Sequence, residues 1–95
     1  MFRLEGRKYW PIYMDWIAHS PGLTPNGTVL VSEMRPRLKV ADKIEAAMKA
    51  NAEAIDLEDA EFEVLRGCSD RIGYSGVNRD AVAAADTLAN SVRAT

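Results

Sequence analysis

The 95-residue chain contains one cysteine and one histidine, and that scarcity excludes several chemistries at once. Cys68 has no second cysteine to pair with, so no internal disulfide forms and a reducing compartment fits. Structural zinc takes about four Cys, His or acidic ligands, more than His19 and Cys68 supply. His19 and Ser20 have no partners with which to build a nucleophilic site. At the end of a short helical stretch, His19 reads instead as a charge that complements the helix dipole. No apolar run approaches the ~20 residues that span a bilayer. The N-terminal "MFRLEGRKYW" has no apolar core of a secretory signal. The expectation is an intracellular, cytoplasmic chain with no membrane partner.

Recognisable catalytic motifs are equally scarce. Neither GxxxxGK[ST] nor GxGxxG occurs, so no phosphate-cradling loop is expected. The run "CSDRIGY" lacks the arginine that a cysteine phosphatase places after its nucleophile. Asp56, Glu58, Asp59 and Glu61 resemble a calcium loop in composition, but the glycine at its sixth position is missing and a helix start explains the acids. "NGT" at Asn26–Thr28 follows Pro25 and reads as a turn. The expectation is a protein without catalysis, cofactor or metal.

The chain does carry ordinary globular material: 47% hydrophobic and 27% charged residues, with a net charge of −2. Residues 1–43 hold seven bases and four acids, whereas residues 44–95 hold five bases and ten acids. One small domain over 1–95 is expected, with an aromatic segment and loop at 1–31 and a helical part at 32–95. A domain of this size buries only roughly 60–65% of its unfolded surface, so self-association would add stability.

Phe2 and Leu4 alternate with polar residues and "EG" at Glu5–Gly6 signals a turn, which predicts a short N-terminal hairpin returning through "RKYW". Pro11 fits the first turn of a helix running to about His19. "SPGLTPNGT", Ser20–Thr28, is a loop, and Val29–Val31 is either a strand or the lead-in to a helix. From Ser32, a good N-cap, the stripe Met34, Leu38, Ala41, Ile44 and Met48 predicts an amphipathic helix stopping near Asn51. A further helix is expected from Asp56, with Ala60, Val64, Leu65, Cys68 and Ile72 facing inward and Gly73 closing it. Cys68 is thereby expected to be a buried hydrophobe. Asn78 caps the last helix, with Val77 and Val82 as a hydrophobic staple.

Three groups of residues are candidates for contact with a partner. "YWPIYMDW", Tyr9–Trp16, holds both tryptophans and two of the three tyrosines. If Tyr9 and Trp10 are strand-like, they point to opposite sides. Trp16 and Ile12 are then expected in the core, leaving Tyr9, Trp10 and Tyr13 at a partner-binding surface, where Tyr and Trp dominate hot spots. Arg35, Arg37 and Lys39 place three positive charges at a helix start. They are the second partner-binding group and the basis of the competing reading, a nucleic-acid-binding regulator. The alanine-rich seam Val82, Ala85, Ala89 and Val92, with Leu88 beside it, is the candidate self-association face of a homo-oligomer.

The segment "RPRLKVADKIEAAMKANAEAIDLEDAEFEVLRG", Arg35–Gly67, resembles the central part of small proteins encoded by tailed phages and prophages. Arg37, Ala41, Lys43 and Ile44, then Ile55 and Leu57, occupy the positions of their arginine, their A-x-K-I helix and the I/V-x-L lead into an acidic helix. The resemblance covers about a third of the chain. It implies a phage or prophage context, in the host cytoplasm or associated with a virion, and transfers no catalytic residue. The sequence therefore predicts a mainly α fold, with α+β character if the hairpin forms: three amphipathic helices plus a short aromatic N-terminal hairpin or helix. The expected function is binding to a protein partner, as a virion or assembly component or as an inhibitor or adaptor covering a host complex.

Overall fold

The computed structural model describes residues 1–93. The fold is mainly α, with four helices and a small antiparallel sheet. In chain order these are β1 (Phe2–Leu4), a 3₁₀ turn at Arg7–Tyr9, α1 (Trp10–His19), α2 (Val31–Lys49), β2 (Ile55–Leu57), α3 (Asp59–Arg71), α4 (Arg79–Ala89) and β3 (Val92–Arg93). Among the described residues, no helix is long and apolar enough to cross a membrane.

The expected pairing of β1 with "RKYW" does not form. β1 instead lies at the centre of the sheet, in the order β2-β1-β3. Phe2, Arg3 and Leu4 pair with Leu57, Asp56 and Ile55, and Phe2 and Arg3 pair with Arg93 and Val92 on the other side. An isolated two-stranded hairpin is marginal in water, whereas a third strand and a helical layer behind the sheet supply the missing burial. That layer reaches the sheet where the Phe2 ring stacks on Phe62 of α3, with centroids 3.9 Å apart. Leu4 and Leu57 are fully buried beside it.

Asp56 therefore belongs to β2, and α3 begins at Asp59. The backbone N–H of Glu58 donates to Glu61 Oε1 at 2.8 Å, satisfying a donor at the helix start. Glu33 does the same for α2, accepting from the N–H groups of Leu30 and Leu23. Asn78 caps α4 as the sequence predicts, its Oδ1 accepting from Ala81 N. Asn51 ends the α2 segment in the left-handed region at φ 51°, a conformation Asn tolerates better than most residues.

One apolar cluster draws on all four helices and the sheet. Trp10 opens α1 instead of lying in a strand, so Trp10, Tyr13, Trp16 and Ile17 fall on one helical face. All four are buried, which corrects the expectation that Trp10 and Tyr13 lie at the surface. Ile12, expected inside, is half-buried at the edge of this face. Gly6 permits the close packing: a Cβ there would sit 2.6 Å from the Trp10 ring and 2.7 Å from the Tyr13 ring.

α2 is rotated relative to the predicted stripe. Its buried residues are Arg37, Val40, Ala41, Ile44 and Ala47, while Met34, Leu38 and Met48 are exposed. In α3 the inward residues include Glu61 and Phe62 alongside Leu65 and Cys68. Ala60 faces out and Val64 and Ile72 are partly buried. Cys68 is buried, as expected.

Candidate functional site

The rotation of α2 leaves an apolar concavity at the surface. A groove of about 370 Å³ runs between α1 and α2. Met14, Ile17 and Ala18 of α1 form one wall, Met34, Leu38 and Ala41 of α2 the other, and Val29 closes one end. Leu38 is 60% exposed and Met34 43%. Leu30 and Val31, at the start of the same helix, are 49% and 64% exposed. Helix α2 thus carries apolar side chains on its core face and on the adjoining outward arc, where burial alone would favour polar residues. Contiguous exposed apolar surface of this kind marks interaction sites in folded proteins. Methionines adapt to irregular partner surfaces because they are unbranched and flexible.

Arg37 fixes the floor of the groove. It is 5% exposed. Its Nη1 donates to the carbonyl oxygens of Ile17 at 3.1 Å and Ser20 at 2.7 Å, and its Nη2 to Pro21 O at 2.9 Å. These are acceptors at and just beyond the C-terminal end of α1, where the helix dipole favours a cation and the last carbonyls lack intrahelical donors. Arg37 therefore clamps the end of α1 onto α2 and sets the separation of the two walls. Ser20 is buried alongside, its hydroxyl donating to Cys68 O at 2.8 Å, which ties the same chain end to α3. The expectation that Arg37 contacts a partner is corrected, since it is buried and three of its N–H donors are bound to carbonyl oxygens of the same chain.

The other predicted site residues scatter. Trp10 donates through Nε1 to Ala52 O at 3.2 Å. Tyr13 donates to Ala84 O at 2.7 Å, and burial, together with the neighbouring Tyr9 phenol, holds its hydroxyl well above the usual phenol range. Tyr9 is half-buried and packs edge-on against Tyr13. None of the three offers the open aromatic face expected of a partner site. Arg35 and Lys39 are exposed on the side of α2 that faces α3, lining a second hollow with Glu58 and Glu61. Lys39 lies 3.7 Å from Glu58. The basic trio is dismantled and does not meet the aromatics, so it forms no platform for stacking nucleotides on a positive groove.

The α4 seam is divided in the same way. Leu88 is 1% exposed and faces inward with Ala81 and Ala84, which takes it away from any second copy. Val82 and Ala89 face outward and Ala85 is half-buried. Val92 stands in β3, beyond the end of the helix.

Chemically, the α1/α2 groove offers area and dispersion but no acid, base or nucleophile. His19 is exposed and lies 3.6 Å from Asp15. Among the described residues, no group of three His, Cys, Asp or Glu side chains is placed to hold a metal ion. The inward stripe expected on α2 holds at Ala41 and Ile44, but Met34, Leu38 and Met48 are exposed, and Met14 and Ala18 carry no signal of a site in the sequence. The available signal was the width of the apolar arc on α2, since Val40, Ala47 and the Met34–Leu38 pair cannot all face one partner. Comparison of the chain with protein-family models, curated proteins and solved structures gave no match.

Proposed function

We propose that the chain is a non-catalytic protein-binding module that receives an amphipathic helix of a protein partner in the α1/α2 groove. The observation that carries this reading is the exposure of Leu38 and Met34 beside an apolar concavity, on a helix whose core face is already filled. Helix-in-groove recognition uses such a surface, with apolar anchors spaced along one face of the incoming helix. The resemblance of Arg35–Gly67 to phage-encoded proteins supports a phage setting. There, a module of this kind serves as a virion or assembly component, or as an inhibitor or adaptor covering a host complex.

The test is a selection of randomised helical peptides on the immobilised full chain, followed by hydrogen exchange of the complex with the enriched peptide. New protection is expected over residues 14–18 and 31–41. Protection confined to α4 or to the sheet would contradict the assignment.

A further inference from the structure

We infer that the occupant of the α1/α2 groove is a second copy of this chain, docked with its α2 antiparallel to the first. The inference rests on the reading of the groove as a docking surface and adds the identity of the partner.

The argument comes from the charges of α2. Glu33 is bound to the N–H groups of Leu23 and Leu30, and Arg37 is bound to carbonyl oxygens at the end of α1. Lys39, Lys43 and Lys49 pair with Glu58, Glu61 and Glu45. Among the described residues, Arg35 and Asp42 are the charged side chains of α2 left without an ion-pair or hydrogen-bond partner in the chain. They are opposite in sign and seven positions apart, so they share one side of the helix.

The exposed apolar residues have the same repeat. Val31 and Leu38 are one heptad apart, and Met34 and Met48 are two heptads apart with the buried Ala41 midway between them, which gives two interleaved series of the kind that seats one helix against another. Arg35 and Asp42 each follow a member of the second series by one position, flanking the stripe on the side away from α1. Alpha1 closes the other flank, where Met14 and Ala18 line the groove.

This asymmetry selects the orientation. A parallel pairing would set the charged rim of each copy against the α1 side of the other. An antiparallel two-fold sets groove against groove and rim against rim. With the exposed Leu38 of one copy facing Leu38 of the other across the two-fold, Arg35 of each copy lies within a turn of Asp42 of the other, and the two-fold makes this ion pair twice. The result is a four-helix arrangement of two α1 and two α2 helices. A dimer populated at micromolar concentrations is expected.

Sedimentation of the full chain across micromolar concentrations tests this, using Arg35→Asp, Asp42→Arg and the double variant. Both side chains are exposed, so the melting temperature read below the dimerisation range should not change. Wild type should dimerise, each single variant should weaken the dimer at least tenfold by placing like charges together, and the double variant should recover it. A monomeric wild type, single variants that dimerise normally, or a double variant that fails to recover would each overturn the inference. If the wild type is monomeric and a selected peptide still protects the groove, only the self-pairing has failed. Without that protection, the docking surface itself has failed.

Discussion

The hydroxyl of Tyr13 donates to the carbonyl oxygen of Ala84 at 2.7 Å, joining α1 to α4 across 71 positions of the chain. The bond explains how a tyrosine on the aromatic face of α1 can be buried in so small a protein. Its polar tip is satisfied by the backbone of the last helix, while the ring packs edge-on against Trp16, with centroids 5.4 Å apart.

Tyr13→Phe removes that bond while keeping the ring. It should lower stability by about 1 kcal/mol, the net value of a typical internal hydrogen bond. Trp10→Ala and Trp16→Ala should each cost roughly 3–5 kcal/mol, as expected for lost core aromatics. Urea titration measures all three. A near-neutral Trp10→Ala would contradict its placement in the core.

Arg37→Ala should destabilise the fold by about 3 kcal/mol, because hydrogen bonds to a charged group are among the stronger ones and their carbonyl acceptors lose a donor. Arg37→Lys should recover only part of this, since an ammonium cannot reproduce the two-nitrogen fork. Denaturant midpoints of the three proteins decide the point. An Arg37→Ala protein as stable as wild type would show that the clamp is dispensable.

Glu61 makes stability depend on pH. Burial alone pushes its carboxyl up, but hydrogen bonds from Lys43 and from the Glu58 N–H, with the charges of Lys43 and Lys39, hold it below the ordinary carboxylate range. A carboxyl that titrates lower in the folded than in the unfolded chain stabilises the fold above the unfolded value of about 4.3. That contribution disappears as the pH falls through the folded value. The loss of stability between pH 6 and pH 3, read from urea midpoints, should be smaller in Glu61→Gln than in wild type. An equal loss would exclude Glu61 as a contributor.

Gly6→Ala tests the close approach beneath the aromatics. Gly6 has an ordinary backbone, φ −109°, so the cost is steric, arising from the added Cβ against two ring edges. Overpacking of this kind typically costs about 1–3 kcal/mol. Thermal melting should show the decrease, and an unchanged midpoint would mean that the rings move aside freely.

The sequence revealed what local chemistry controls. Pro11 in the first turn of α1, Asn78 at the start of α4 and Asn51 beyond α2 each mark a boundary through their own backbone or cap, whereas the starts of α2 and α3, expected at Ser32 and Asp56, are capped by Leu30 and Glu58. Long-range partners were not legible. Nothing near Arg37 in sequence announces that it lies beneath the end of a helix that closes 18 residues earlier. The central position of β1 depends on Ile55–Leu57, which reads in sequence as the approach to an acidic helix. The rotation of α2 was hidden for a related reason. Met34–Leu38 and Val40–Ala47 are both good apolar stripes, and only the positions of α1 and α3 decide which is buried. The groove exists because α2 carries both.

Leu38 offers the most direct test of the central claim, that the α1/α2 groove is a binding surface and not a loosely packed edge of the core. The measurement is the affinity of the full chain for a groove-selected helical peptide, by calorimetry, in wild type and Leu38→Lys, with thermal melting of both proteins alongside. Because Leu38 is 60% exposed, the substitution should change stability by no more than about 0.5 kcal/mol, while binding falls at least tenfold. Undiminished binding, or a loss of stability approaching that of Trp16→Ala, would contradict the account.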